Sequence, residues 1–120
     1  QEAVDSFTRA IKYGYTDIQI FLLRGGILQF LNRHKRAIHD FNKVITNSPD
    51  DCYPLFLRSV SKNKIGDIKG SIKDIQKAII LSLVDNETND EYREKAWRLG
   101  FGTHTDLYET YLNNFEKNMD

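Results

Sequence analysis

The chain repeats itself. Displaced by 34 positions, Ala37-Ile38-His39-Asp40-Phe41-Asn42-Lys43-Val44-Ile45 falls on Ser71-Ile72-Lys73-Asp74-Ile75-Gln76-Lys77-Ala78-Ile79 and, in the other direction, on Ala3-Val4-Asp5-Ser6-Phe7-Thr8-Arg9-Ala10-Ile11. Each copy reads small, apolar, polar, polar, large apolar, polar, basic, small or branched, isoleucine. The small, large and second small positions share one face of a helix. The segments ahead match too, Phe21-Leu22-Leu23-Arg24-Gly25 falling on Leu55-Phe56-Leu57-Arg58-Ser59. A period of this size marks a stacked helical array, because one helix pair cannot bury its apolar face alone and must share a core with its neighbours. Small residues at Gly25, Ala37 and Ser71 let helix backbones approach. Phe7 and Phe41 then fill the space between layers.

Local signals divide the chain accordingly. A helix over 2–13 stops at Gly14. Asp17 caps a helix running to about Leu31, and residues 34–47 form its partner. Ser48-Pro49-Asp50-Asp51 breaks and re-caps the chain, with Pro54 admissible only in a first turn. The next helix then runs from about Asp51 to Ile65, Gly66-Asp67 is a turn, and 68–83 pair with it. Beyond lie a loop with a cap at Asp85–Asn89, a helix over 90–99, a turn at Gly100–Gly102, and a last helix over about 106–118. That last helix carries Leu107, Tyr108, Tyr111, Leu112 and Phe115 at helical spacing.

At Gly25, Leu28, Ala37, Phe41 and Pro49 the chain resembles a tetratricopeptide-repeat protein. The run Arg-Gly … Ala-Ile-x-Asp-Phe-x-Lys … Pro is similar to a bacterial variant of that family. The likeness covers residues 1–83. It departs where Leu28 becomes Lys62 and Pro49 becomes Leu83. It implies an all-α fold, a right-handed α-α superhelical solenoid of helix pairs with about three units plus a partial one. Residues 1–120 are then a single domain: 1–15 the second helix of a truncated repeat, 17–50 and 51–84 repeats, and 85–120 a degenerate or capping helix pair. The opening inside a helical pattern reads as a piece of something longer.

In such stacks the first helix of each pair lines the concave side, which is where the family holds a protein or peptide. On this chain that face carries Gln19, Leu22, Gly26 and Gln29. One period on it carries Tyr53, Phe56, Val60 and Asn63, and then an acidic row, Glu87, Asp90 and Glu94, ending in Trp97, the one tryptophan. The first two rows are apolar for a groove, and exposed apolar patches mark binding sites. Packing of Tyr53 and Phe56 against a neighbouring helix is the alternative. The family's clamp for acidic C-terminal tails needs lysine, asparagine and arginine where this chain has Leu22, Leu23, Gly26, Tyr53 and Leu57. Arg24 and Arg58 recur with Asp40 and Asp74, which predicts a structural ion pair in each unit.

Nothing marks a catalytic centre. The histidines are His34, His39 and His104, and neither His34 nor His39 has the neighbouring carboxylate or second ligand of a metal site. No nucleophile has a base and an orienting third group. Gly25-Gly26 and Gly100-x-Gly102 lack the strand and lysine of a phosphate loop. The expectation is a non-enzymatic binding scaffold without cofactor or metal, or alternatively a structural spacer or self-association module of a larger protein.

No stretch approaches the roughly 20 apolar residues of a membrane span. Net charge is zero, but residues 1–84 hold 13 Lys/Arg against 8 Asp/Glu while 85–120 hold 4 against 9. That asymmetry would favour head-to-tail contact with another copy. It gives no large basic face for nucleic acid. The lone Cys52 cannot build a disulfide framework and favours a reducing, cytoplasmic setting.

Overall fold

The computed structural model describes residues 2–14, 17–87 and 104–119. They form helices α1 (Glu2–Lys12), α2 (Ile18–Phe30), α3 (His34–Asn47), α4 (Cys52–Lys64), α5 (Ile68–Glu87) and α6 (His104–Lys117), with no strand among the described residues. The ends are set by chemistry that recurs with the period. Asp17 and Asp51, 34 residues apart, accept from the backbone amides of Gln19 at 3.0 Å and Tyr53 at 3.2 Å, satisfying first-turn donors of α2 and α4. Pro54 sits in the first turn of α4, where its missing amide costs nothing.

At the other ends Asn32 and Gly66, again one period apart, take φ of 61° and 90°. The amides behind them reach back to close the helices, Arg33 to the Leu28 carbonyl at 2.8 Å and Asp67 to that of Lys62 at 2.9 Å. Asn32 is one of the few side chains that tolerate this conformation. α5 runs four residues further than the pattern 68–83 indicates.

Helices pack in chain order, α1 on α2, α2 on α3, and so on to α6 on α5. Val4, Leu28, Ala37 and Phe41 make one core; Cys52, Leu55, Phe56, Ile75, Ala78, Tyr108 and Phe115 make the next. Ile45 and Leu57 touch both, so the interior is continuous. Phe41 and its counterpart Ile75 are both fully buried, while Phe7 on α1 is half-buried. The layers accommodate different side chains by exchange of volume. Phe41 faces Gly25, whereas the smaller Ile75 leaves room for Ser59, which is fully buried and bonds the Phe56 carbonyl.

The last helix departs from the sequence expectation. Ser82 near the end of α5 meets Thr105 at the start of α6, at 2.7 Å. Along α4, Cys52 meets Tyr108 and Asn63 meets Asn118, in the same order. α6 is therefore antiparallel to α5 and parallel to α4. It takes the place of a third first helix, not that of the second helix in a closing pair. α2, α4 and α6 begin at Ile18, Cys52 and His104, so the third layer comes 52 residues after the second instead of 34. The expected helix over 90–99 lies outside the described residues.

A candidate binding groove between α2 and α4

Each helix pair is locked by a two-pronged ion pair. Arg24 reaches Asp40 with Nε to Oδ2 at 2.8 Å and Nη2 to Oδ1 at 2.6 Å. Arg58 reaches Asp74 at 2.7 and 2.8 Å. The matching geometry bears out the paired recurrence in the sequence. Each arginine also extends to the layer before it: Arg24 to the Thr8 hydroxyl at 3.4 Å, Arg58 to the Asn42 side-chain oxygen Oδ1 at 2.9 Å. Asp40 is buried, and its hydrogen bonds raise the Arg24 pKa further above the ordinary guanidinium value, against the opposing effect of burial. These arginines are committed to the fold.

Past that clamp, α2 is apolar on every side. A helix of this kind does not hide all of its surface against α1, α3 and the part of α4 that it meets. The remainder opens into a groove of about 500 Å³ lined by Leu22, Leu23, Gly26, Ile27, Gln29 and Phe30 of α2 with Tyr53 and Leu57 of α4. Phe30 is 85% exposed, Leu23 52% and Tyr53 46%. Of the residues singled out from sequence, the groove gathers Leu22, Gly26, Gln29 and Tyr53. Gln19 is exposed on the first turn of α2, outside the lining. Phe30 and Ile27 were not singled out. Their signal was the lack of any polar stripe on α2.

Three expected groove residues lie elsewhere. Phe56 is 8% exposed, its ring stacked on Tyr108 at 4.7 Å and meeting Tyr111 edge-on at 5.0 Å. Val60 packs beside it, half-buried in the same cluster. Asn63 donates to the Ser71 hydroxyl and accepts from Asn118, tying α4 to α5 and to the end of α6. This corrects the expectation that Phe56, Val60 and Asn63 line an open face. The row faces the next layer, and α6 supplies Tyr108, Tyr111 and Phe115 to fill it. Trp97 and the acidic row before it lie outside the described residues, apart from Glu87, the last residue of α5.

Among the described residues the two seams differ at equivalent positions. Gly26 stands where Val60 stands one period later, and Leu22 where Phe56 stands. A β-carbon on Gly26 would meet nothing within 4 Å. The floor is fixed by a polar chain. The Gln29 amide donates to the Leu57 carbonyl at 2.7 Å and to the Ser61 hydroxyl at 2.9 Å, and Ser61 lies 3.0 Å from His34 Nδ1. Burial, and then the charge of Lys64, hold the His34 pKa below its ordinary value. The hydrogen bond between Ser61 and the His34 ring completes a link from α2 through α4 to α3. On the α6 side, burial and then the hydrogen bond to Cys52 push the Tyr108 phenol pKa up. Among the described residues no group of three or more His, Cys, Asp or Glu is placed to hold a metal ion, and no helix is long and apolar enough to cross a membrane.

No family model and no curated protein matches the chain. Solved structures do. MamA (residues 41 to the end) from Desulfovibrio magneticus RS-1 superposes over 100% of this chain and 68% of its own, with a TM-score of 0.68 at 18% identity. A double mutant of MamA from RS-1 gives the same TM-score and identity, over 67% of its length. MamA has a tetratricopeptide-type helical repeat fold. The chain therefore has the fold of a superhelical stack of tetratricopeptide-type helix pairs, all-helical among the described residues, with two of the pairs complete there.

Proposed function

We propose that this chain is a non-enzymatic scaffold that holds a protein or peptide in the groove between α2 and α4. The observation that carries this reading is the contrast between two equivalent seams. The one between α4 and α6 is filled by aromatic rings, while the one between α2 and α4 is left apolar and open at Gly26. Open apolar surface of this kind costs solubility, and a partner that covers it recovers the free energy of burial.

Gly26 also provides the test. Gly26→Val places a side chain into the groove with no clash at its β-carbon. A photo-crosslinking residue at position 30 should capture protein partners in native extract far more than one at Lys69, on α5 and outside the groove lining. Gly26→Val should suppress that capture while leaving the melting temperature unchanged or higher, since glycine inside a helix costs about 0.5–1 kcal/mol relative to alanine. Equal capture from both positions, untouched by Gly26→Val, refutes the reading.

One observation favours the alternative, a spacer or self-association module. Leu23 is 52% exposed, whereas Leu57, its counterpart one period on, packs against the layer before it. That flank of α2 has the composition of a surface that receives another layer. Light scattering across a concentration series separates the two. An oligomer lost in Leu23→Glu but retained in Gly26→Val supports self-association.

A further inference from the structure

We infer that the occupant of the α2–α4 groove is a helix lying antiparallel to α2 and α4, acidic at its start and basic at its end. This rests on the groove being the binding surface. Three observations lead to it. The first is the lining. α2 and α4 satisfy their own backbones, and the Gln29 amide is already committed to Leu57 and Ser61. An extended peptide laid on such a surface finds almost nothing for its amides and carbonyls, each of which loses water on docking. A helix brings its backbone already paired and needs only an apolar stripe from its host.

The second is length. From Leu22 to Phe30 the groove wall runs about 12 Å, the span of helix positions i, i+4 and i+8. Rings are the side chains that close the equivalent seam, at Tyr108, Tyr111 and Phe115. Large apolar side chains at that spacing fill the void above Gly26.

The third is polarity. α2 and α4 run the same way, and their starts carry exposed Asp17, Asp50 and Asp51. Their far ends carry exposed Arg33 and Lys64. Arg9 and Lys12 at the end of α1 and Lys43 of α3, whose ammonium lies 4.6 Å from the Phe21 ring, offset the aspartates from outside the groove lining, and at the second end Asp67 is turned to the Gly70 amide of α5. A helix entering antiparallel places its first turn at Arg33 and Lys64 and its last turn at the aspartates. Helices carry acidic residues in the first turn and basic ones in the last for their own stability. The groove therefore matches a helix in one direction and repels it in the other.

The test uses three synthetic peptides of about four turns with identical apolar residues. One has glutamates first and lysines last, one has these exchanged, and one repeats the first with a central proline. Fluorescence anisotropy against the full chain at low salt should rank the first peptide about tenfold or more ahead of both others. The preference over the exchanged peptide should shrink in high salt. In Asp50→Lys with Lys64→Glu, two exposed positions whose exchange leaves the caps intact, the preference should turn over. Equal binding of the exchanged peptide overturns the direction, and equal binding of the proline peptide overturns the helix in favour of an extended segment. If none binds while crosslinking from position 30 persists, the groove stands as a binding surface and this occupant is wrong.

Discussion

A β-carbon on Gly25 would lie 2.7 Å from Cε1 of the Phe41 ring. The contact lies where α2 packs against α3, and the next layer meets the same demand with Ser59 and Ile75. Gly25→Ala should therefore destabilise the fold by about 1–3 kcal/mol through overpacking. Phe41→Ile alone should cost about 1–2 kcal/mol through the void it leaves. The double variant Gly25→Ser with Phe41→Ile copies the second layer. It should lose less than its two single changes combined, by about 1 kcal/mol or more, in urea denaturation.

The two ion pairs differ in redundancy. Asp40 has Arg24 as its cation, whereas Asp74 also has Lys62 at 3.1 Å. Arg24→Ala strands a buried carboxylate and should cost about 3 kcal/mol or more. Arg58→Ala should cost clearly less, and Lys62→Leu added to it should remove the difference. Thermal melts of the three variants decide this.

Phe56 and Tyr53 separate core from groove. Phe56→Ala removes the ring on which α6 packs and should cost about 3–5 kcal/mol. Tyr53→Ala touches an exposed groove wall and should stay within about 1 kcal/mol. Equal losses would contradict the assignment of Tyr53 to an open surface.

His34 gives the fold a pH dependence. Its folded pKa lies below the unfolded value of 6.5, so the unfolded chain binds the extra proton as pH falls. The contribution is present in full above that value and is lost as pH falls below it. His34→Gln should flatten the stability profile between about pH 7 and 5 relative to the native chain. A parallel slope in both would place the dependence elsewhere.

What could be read in advance was whatever repeats. Asp17 and Asp51 fixed two helix starts, Gly14 and Gly66 two stops, and the Arg24–Asp40 and Arg58–Asp74 pairs followed from their shared register. Phe56 was misplaced because its neighbour α6 does not obey the period. No sliding comparison brings Tyr108 to it when the third layer arrives 52 residues on. The groove was half legible. Leu22, Gly26, Gln29 and Tyr53 lie on it, but its openness depends on one missing side chain at position 26, and a sequence shows a glycine without showing the space beside it. Lys62 broke the pattern at the place of Leu28 for an electrostatic reason, a second cation for Asp74, that only the geometry reveals.

The arginine at each layer also sets an order of release. Arg24 grips Asp40 at 2.6–2.8 Å inside its own pair but touches Thr8 of α1 at 3.4 Å near the surface, and Val4 is the one buried residue of α1. Thermal opening will shed α1 long before it parts α2 from α3, so the amide protons of α1 exchange first while those of the clamped pair survive until the whole array comes apart.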